Sequence, residues 1–432
     1  MEGVEFKHVM MPRRGPGGKP SLGSLDSRAA NPYCCLRMEY GLFLASAAVS
    51  ALVNAAGRFR RTRPRRFLVV KLDHLGDLVT ATPVFRALRD AHPDAVIDAL
   101  VGPWAARLLE RSPHLSRVLT YDARRFRRMR GAGGTVGARA VAGGERPAPP
   151  LARMRVVARG GYTDIVELRG DAWTLLLPFL CGARQRSDRG SARIALWLRR
   201  HGLLPGGSNL PLHEVATNLA TARPFLAPGV VPDEAMAVEV AAAEREALRR
   251  RLADAGIDLA RPTVCIHAGA LWRPRAWWLE RWASLAAHLE ERHHVQTVFV
   301  GSAAERDLEA ELRAVASGPG RHFLFGTLSL RETCVLLGEA RLVIGNDSGL
   351  IHIAAACGTP VVGLYGPQLP ERFGPRAPRS IALHHRIDCC PCAQRTCVRP
   401  EEPCVNLITV EEVLAAAERL LAPGAQAARE AT

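Results

Sequence analysis

The stretch FLVVKLDHLGDLVTATPVFRALRDAHPDAVIDALVG, residues 67–102, decides the fold class. It opens with a short β-branched apolar run, passes through a loop around Gly76 and continues into a helical pattern over residues 78–91, which Pro93 ends. A second apolar run, AVIDALV, follows. This order of strand, loop, helix and strand predicts a parallel sheet with helices on its faces.

The same alternation extends along the chain and then begins again. The first half adds a helix over residues 103–111 and the strands RVLTY and TDIVELRG. After a proline-rich join at residues 223–232, the second half predicts a helix over 241–255 stopped by Gly256, the strand TVCIHAG, a helix over 277–292, the strand QTVFVGS, a helix over 330–339, the strand RLVIGND and a helix over 350–356. The sequence therefore predicts two doubly wound, Rossmann-like α/β domains facing a central cleft, with ligands at the carboxyl ends of the strands.

Two capping boxes, Ser329 with Glu332 and Thr409 with Glu412, mark the starts of helices. The predicted divisions of the chain are a disordered arm at 1–37, an apolar and basic helix at 38–63, an acceptor-binding domain at 64–225 with a mobile basic loop at 122–150, a donor-binding domain at 235–408, a last helix at 409–422 and a disordered tail at 423–432.

Composition limits the function classes. The chain has 432 residues with 48% hydrophobic and 23% charged residues, which excludes a collagen, a coiled-coil rod and a wholly disordered chain. Its formal net charge of +16 favours polyanionic partners such as nucleic acid, anionic lipid or phosphorylated substrates. Arginine-rich codon usage is an equally good explanation of the excess.

Residues 40–56, YGLFLASAAVSALVNAA, are uncharged and precede the basic run RFRRTRPRR. The segment is marginal as a transmembrane span, and its charge lies on the wrong side for a secretory signal. Two interpretations remain: a helix on an anionic membrane surface with a cationic collar, or a helix that packs on the protein itself.

Two loops between a strand and a helix carry residues suited to ligand binding. The first is KLDHLGD, residues 71–77, and the second is GNDSG, residues 345–349. In each, small residues let the backbone approach a ligand, and the following helix begins with free N–H groups and a positive dipole end. Neither is a Walker A or G-x-G-x-x-G sequence, and Ser348 also fits a helix N-cap.

These residues resemble a known family. Residues 71–102 resemble the amino-terminal signature of glycosyltransferase family 9, the bacterial heptosyltransferases, and RLVIGNDSGLIHIAAACGTPVVGLYGP resembles its carboxy-terminal signature. IHAGALWRPRAWWLERWASLA is similar to the central loop of the same family, although Ala268 stands where the family often has Pro. The resemblance implies a GT-B fold, a nucleotide-heptose donor and inversion at the anomeric carbon.

The resemblance also implies roles for single residues. Asp77 falls on the catalytic base, with Asp73 as a competitor in the same loop and a helix N-cap as the structural alternative for Asp77. Arg275 falls near a lysine that holds the donor diphosphate, and Arg273 is close enough to compete for that register. The other implied donor-binding residues are Gly269, Asp347, Ser348, Gly349 and His352, and those on the acceptor side are Gly76 and Lys71.

Three further residues have structural interpretations. His213 and Glu214 resemble an element that joins the two domains. Trp277 is expected to pack a helix onto the sheet.

Five of the eleven cysteines form a cluster near the carboxyl end. Cys389, Cys392, Cys397 and Cys404 could supply four zinc ligands, while a reduced or disulfide-stapled loop is the alternative. The scattered cysteines lie in apolar contexts, which favours a reducing cytoplasm.

The leading hypothesis is an inverting glycosyltransferase at the cytoplasmic face of the membrane, peripheral to it. It would transfer a heptose from ADP-heptose to a phosphorylated, lipid-linked saccharide such as a lipopolysaccharide core. The nucleotide sugar would be a substrate, so no cofactor is expected apart from zinc at the cysteines. The alternatives are a sugar-nucleotide epimerase on the same scaffold and a non-catalytic basic binding protein. Nucleic acid is disfavoured because no zinc-finger, RRM or helix-turn-helix signature is present.

Overall fold

The computed structural model describes residues 32–59, 64–121, 156–169, 172–190, 213–392 and 397–422. The predicted basic loop at 122–150 and tail at 423–432 lie outside these described residues, as does the predicted disordered arm up to residue 31.

The first sheet is parallel and has the strand order β3-β2-β1-β4-β5. Its strands are β1 (Arg66–Lys71), β2 (Val96–Val101), β3 (Arg117–Thr120), β4 (Asp164–Glu167) and β5 (Gln185–Asp188). The central strand β1 is buried from Phe67 to Lys71, as expected for a strand covered on both faces. The four apolar runs predicted as strands are confirmed, and β5 is an addition that the sequence did not predict.

The second sheet is also parallel, with the order β11-β10-β9-β6-β7-β8. Its strands are β6 (Thr263–His267), β7 (Gln296–Gly301), β8 (Arg321–Phe325), β9 (Leu342–Asn346), β10 (Val361–Tyr365) and β11 (Ser380–His384). In both sheets the strand order reverses beside the first strand, which is where doubly wound domains bind ligands. The predicted architecture of two Rossmann-like domains is confirmed.

The helices are α1 (Pro32–Gly57), α2 (Leu75–Val79), α3 (Thr82–Ala91), α4 (Leu177–Cys181), α5 (Glu214–Ala222), α6 (Ala242–Asp254), α7 (Leu279–His293), α8 (Arg306–Ala316), α9 (Leu330–Glu339), α10 (Gly349–Ala356), α11 (Pro370–Phe373) and α12 (Val410–Leu421). Both predicted capping boxes are present, at Ser329 with Glu332 and at Thr409 with Glu412.

Two helix predictions in the first domain are wrong in detail. The single helix over 78–91 is two helices, α2 and α3, separated at Thr80 and Ala81. The Thr82 hydroxyl donates to the Val79 carbonyl at 2.8 Å, and Pro83 lies in the first turn of α3, where its missing N–H does no harm. The helix over 103–111 is only a 3₁₀ turn, Ala106–Leu109.

Helix α1 begins at Pro32, inside the stretch predicted as a disordered arm, and ends at Gly57, before the end predicted at residue 63. It packs against β5, where Val53 and the partly buried Val49 join the apolar cluster on that side of the first sheet. Packing of this segment on the protein is therefore observed for the face of α1 that contacts β5. Within the described residues, no helix combines the length and apolar character needed to cross a bilayer.

The largest hydrophobic cluster contains residues from both domains. Leu78 and Phe85 of the first domain belong to it together with Val335 and Ile351 of the second. The apolar core is therefore continuous between the domains beside the cleft, and it holds the two predicted ligand loops close together.

Candidate active site

The two glycine-containing loops meet across the cleft at Gly76 and Gly349. A Cβ on Gly349 would lie 3.1 Å from the Gly76 nitrogen and from the Leu75 Cβ. A Cβ on Gly76 would lie 2.9 Å from the His352 ring. Any side chain at either position would therefore push the N-termini of α2 and α10 apart.

Asp77 lies on the first-domain side of this contact, in the first turn of α2. His74, not Asp77, is the N-cap residue, and no side chain caps this helix. The interpretation of Asp77 as an N-cap is therefore wrong. Within the described part of the chain its carboxylate has no hydrogen bond or ion pair. Burial raises the pKa of Asp77, the charge of Asp73 adds to the rise, and Lys71 opposes it.

Asp73 has a different environment. It forms ion pairs with Lys71, at 2.8 Å, and with Arg169. Burial alone would raise the pKa of Asp73, but the charges of Lys71 and Arg169 outweigh it and hold that pKa below its usual value. A carboxylate stabilised in this way is a weak base, which favours Asp77 over Asp73 for proton transfer.

Lys71 is only 2% exposed, and its ammonium also donates to the Leu168 carbonyl at 3.3 Å. The structure therefore buries Lys71 behind Asp73, away from the cleft. Its charge can act on an acceptor electrostatically, but its ammonium does not contact the acceptor directly. Arg169, which the sequence did not single out, reaches the same carboxylate from the end of β4.

On the second-domain side, Arg275 Nη1 lies 3.0 Å from Asp347 Oδ2. Arg275 ends a 3₁₀ turn that begins at Arg273, whose side chain is exposed. The structure thus brings Arg275, and not Arg273, to the loop after β9. Burial raises the pKa of Asp347 to about 6, against the opposing charge of Arg275, and the nearby Asp77 adds to the rise.

Two polar atoms beside this ion pair have no hydrogen-bond partner among the described residues, although they are buried. They are Ser348 Oγ and His352 Nδ1. Ser348 occupies the N-cap position of α10, but its side chain makes no capping hydrogen bond. Burial lowers the pKa of His352 to about 4, so its ring is neutral near pH 7. Buried polar groups are normally satisfied, so these atoms indicate a ligand site.

Gly269 follows β6 on the same side of the cleft. A Cβ at Gly269 would collide with the carboxylate of Glu305, which belongs to the loop after β7. Glu305 is not among the residues predicted from the sequence. Its signal was the S-x-x-E pattern at residues 302–305, since Glu305 Oε2 accepts hydrogen bonds from the Ser302 backbone and hydroxyl at 2.8 and 2.7 Å.

His213 and Glu214 join the domains, as their interpretation required. The Glu214 carboxylate lies 2.5 Å from Arg189 of the first domain and 2.9 Å from Arg372 of the second. His213 Nε2 lies 2.9 Å from the Gly374 carbonyl oxygen. Burial opposes ionisation of Glu214, but Arg189 and Arg372 hold its pKa at about 2. No local pattern pointed to either arginine, because they lie 25 and 158 positions from Glu214 along the chain.

Trp277 packs as predicted: it is 1% exposed and donates its indole N–H to the Ile408 carbonyl at 2.9 Å. At the cysteine cluster, burial raises the pKa of Cys390 to about 12 and that of Cys404 to about 11, so both thiols are protonated near neutral pH. Across the described ranges, no group of three or more His, Cys, Asp or Glu side chains is arranged to hold a metal ion.

Comparisons with known proteins agree with this geometry. A model of glycosyltransferase family 9 (heptosyltransferase) matches residues 209–402. Lipopolysaccharide heptosyltransferase 2 of Salmonella typhimurium is 25% identical over 340 residues, which are 74% of this chain and 90% of the relative. Lipopolysaccharide heptosyltransferase 1 of Pseudomonas aeruginosa is 33% identical over 149 residues, 34% of this chain and 41% of the relative.

Solved structures show the same fold at lower identity. A family 9 glycosyl transferase from Veillonella parvula superimposes with a TM-score of 0.63 at 20% identity, covering 83% of this chain and 97% of the other. An E. coli heptosyltransferase with ADP gives a TM-score of 0.55 at 16% identity, covering 82% and 99%. The two Rossmann-like domains therefore form a GT-B fold, and the chain is a glycosyltransferase similar to the heptosyltransferases of family 9.

Proposed function

We propose that the protein transfers a heptose from a nucleotide-sugar donor, ADP-heptose, to a hydroxyl of a lipopolysaccharide-core saccharide with inversion at the anomeric carbon. The names of the relatives support the sugar and the acceptor, since they are lipopolysaccharide heptosyltransferases. The ADP in a solved heptosyltransferase of the same fold supports the nucleotide.

The observation that carries the mechanism is the state of Asp77. It is the one carboxylate of its loop whose pKa is raised and whose described surroundings contain no ion-pair partner, whereas Asp73 is held by two cations. A carboxylate with a raised pKa accepts a proton more readily than an ordinary aspartate. Its side chain is only partly buried, so an acceptor hydroxyl could reach the carboxylate from the cleft.

The proposed reaction is a single displacement. The acceptor hydroxyl attacks the anomeric carbon, its proton passes to the Asp77 carboxylate, and the bond from that carbon to the phosphate oxygen breaks. Attack from the side opposite the leaving group inverts the configuration. The nucleoside diphosphate leaves with the bonding electron pair, so no second carboxylate is needed as a general acid.

The proposed donor site lies across the cleft from Asp77. Arg275 would chelate the diphosphate through two N–H groups, which the lysine usual in the family cannot do. The backbone N–H groups at the start of α10, with the Ser348 hydroxyl and the neutral His352 ring, would supply further contacts. Asp347 holds Arg275 in position until phosphate oxygens take its place.

The proposed acceptor is anionic. Lys71, Arg169 and Arg189 surround Asp73 and Asp77 at the ends of the first-domain strands, and Arg372 approaches from the second domain. Four carboxylates, those of Asp73, Asp77, Glu167 and Glu214, share this region with the four cations. Guanidinium and ammonium groups at this place would bind the phosphates of a phosphorylated saccharide.

The test is release of ADP from ADP-heptose in the presence and absence of a purified lipopolysaccharide-core acceptor, followed by NMR of the product. We expect ADP release that depends on the acceptor and a product of inverted anomeric configuration. Release without acceptor, together with a sugar of changed ring stereochemistry, would instead identify an epimerase. Binding of the donor without either reaction would indicate a non-catalytic protein.

A further inference from the structure

Between residues 44 and 56, helix α1 presents its polar side chains to the protein interior. Ser46 is fully buried and Ser50 is 4% exposed. The buried guanidinium of Arg186 donates to the Ser46 carbonyl at 2.8 Å, to the Ser46 hydroxyl at 2.9 Å and to the Ser50 hydroxyl at 2.7 Å. One turn later, the Asn54 amide bonds both backbone groups of Arg186, at 2.7 and 3.1 Å.

The outward face of this same stretch of the helix is apolar. Leu44 is 62% exposed and Leu52 is 64% exposed. The other exposed positions between residues 44 and 56 are all alanines: Ala45, Ala48, Ala51, Ala55 and Ala56. A helix on a protein that faces water places its polar side chains outside and its apolar ones inside. The stretch of α1 from residue 44 to residue 56 has the opposite arrangement, so its outer face suits a medium or partner other than water.

This apolar face continues onto neighbouring elements. Phe59 follows α1 and is 92% exposed, while Phe179 of α4 is 51% exposed. The described residues contain thirteen exposed large hydrophobic side chains, and seven of them belong to this corner of the first domain: Leu44, Leu52, Phe59, Val156, Leu176, Phe179 and Leu180. Their neighbours Val157, Leu177 and Cys181 pack in the same cluster as Val53 of α1, which brings the chain segments that carry the exposed residues together. Contiguous exposed apolar surface of this kind marks an interaction site.

The charge around the patch is positive. Arg58 and Arg159 are exposed next to the apolar residues of the patch. The sequence from Tyr40 to Leu72 contains no Asp or Glu, and it carries further arginines at positions 60, 61 and 63. An apolar face with cationic residues at its edge complements an anionic bilayer. The arginines would pair with the lipid headgroups, while the leucines would enter the boundary between headgroups and acyl chains.

We propose that this patch, formed by the outer face of α1, Phe59 and the exposed side chains of α4, docks the protein on the surface of an anionic phospholipid bilayer. The helix lies in the plane of the interface, held to the first domain by Arg186, and does not cross the membrane. This inference deepens the proposed function, because docking would bring the acceptor-binding domain to a lipid-linked acceptor. The benefit of docking rests on the proposed function, whereas docking itself is argued from the patch alone.

The test is sedimentation of the full-length protein with vesicles of phosphatidylcholine and phosphatidylglycerol, or of phosphatidylcholine alone. Leu44→Glu with Leu52→Glu places two charges on the outer face, at side chains that are 62% and 64% exposed. Val231→Glu with Val315→Glu is the matched control, since both valines are exposed but lie in other parts of the molecule. We expect the double variant of α1 to lower the partition coefficient onto mixed vesicles by about tenfold or more, and the control to leave it unchanged. Vesicles without the anionic lipid should bind the native protein less.

Three results would overturn the proposal. The first is equal vesicle binding by the α1 variant and the control. The second is a native dimer, seen by light scattering without vesicles, that the α1 variant dissociates, because the face would then be a contact between two copies. The third is a large loss of melting temperature in the α1 variant alone, which would mean that another segment of the chain covers the face. Vesicle binding needs no donor, so failure of the transferase assay would leave this inference intact.

Discussion

Asp347→Asn should make the empty protein more stable. The pKa of Asp347 is about 6 in the folded chain, compared with an ordinary value of 3.8. A difference of about 2 pKa units corresponds to about 3 kcal/mol of unfolding free energy. Because the pKa is raised, the ionised carboxylate destabilises the fold, and this penalty is fully present above pH 6. It disappears as the pH falls from 6 towards 3.8. Asparagine removes the charge, so the gain is at most about 3 kcal/mol, reduced by what Arg275 loses as an ion-pair partner.

The measurement is urea unfolding of both proteins, followed by circular dichroism at about pH 7.5 and at about pH 4. We expect the variant to be more stable at the higher pH and the two proteins to converge at the lower one. His352 titrates in the same range, but it is present in both proteins and cancels in the difference. The exposed Asp254→Asn is a control for the general effect of losing one negative charge.

The same variant should transfer sugar less well, because Arg275 would no longer be held in position for the diphosphate. We expect the Asp347→Asn variant to be more stable and to have a higher KM for the donor. This is the trade-off between stability and activity that is common at functional sites. A variant that is less stable than the native protein at every pH would refute the reasoning. It would mean that the ion pair with Arg275 outweighs the burial of the Asp347 charge.

The other expectations concern the base, the donor and the junction between domains. Asp77→Asn should keep the fold and donor affinity while lowering kcat by about a hundredfold or more, measured where chemistry limits the rate; near-normal kcat would point to Asp73 as the base. Arg275→Ala should raise the donor KM by about tenfold or more, because a charge-assisted phosphate contact is lost; a larger effect from Arg273→Ala would show that the register is wrong. Glu214→Gln should lower the unfolding free energy by about 3 kcal/mol near neutral pH, from the fall of the Glu214 pKa from 4.5 to about 2. This last loss should shrink as the pH falls from 4.5 through 2, where the native carboxylate is itself protonated, and a pH-independent loss in chemical unfolding would contradict it.

The elements that the sequence predicted most accurately are those whose boundaries are set by hydrogen bonds between neighbouring residues. The helix over 330–339 has the predicted ends because the Ser329 hydroxyl and the Glu332 carboxylate satisfy the first backbone groups. Strand β5 escaped prediction for the opposite reason. Its residues, Gln-Arg-Ser-Asp, show no apolar pattern, and they become buried only because α1 supplies hydrogen-bond partners from more than a hundred positions away.

The same distinction applies to the site. The two glycine loops could be predicted because each is one short motif in the sequence. The structure brings their glycines, Gly76 and Gly349, together. The environments of the charged residues were not readable. The sequence predicted that Lys71 contacts a ligand. In the structure its ammonium instead forms an ion pair with Asp73 and donates a hydrogen bond to the Leu168 carbonyl. Pairings of this kind depend on tertiary contacts that no local spacing encodes.

The unsatisfied groups of the second domain explain why a donor should bind where it is proposed to bind. The Ser348 hydroxyl and the His352 Nδ1 are buried without partners, and the Asp347 carboxylate is ionised at a site that raises its pKa. Each buried polar group without a partner destabilises a protein by about 1–3 kcal/mol. A phosphate or sugar that satisfies these atoms recovers that free energy on binding. The groups that weaken the empty protein are thus the ones that give the donor its affinity, and small residues at positions 76 and 349 keep them within reach of Asp77.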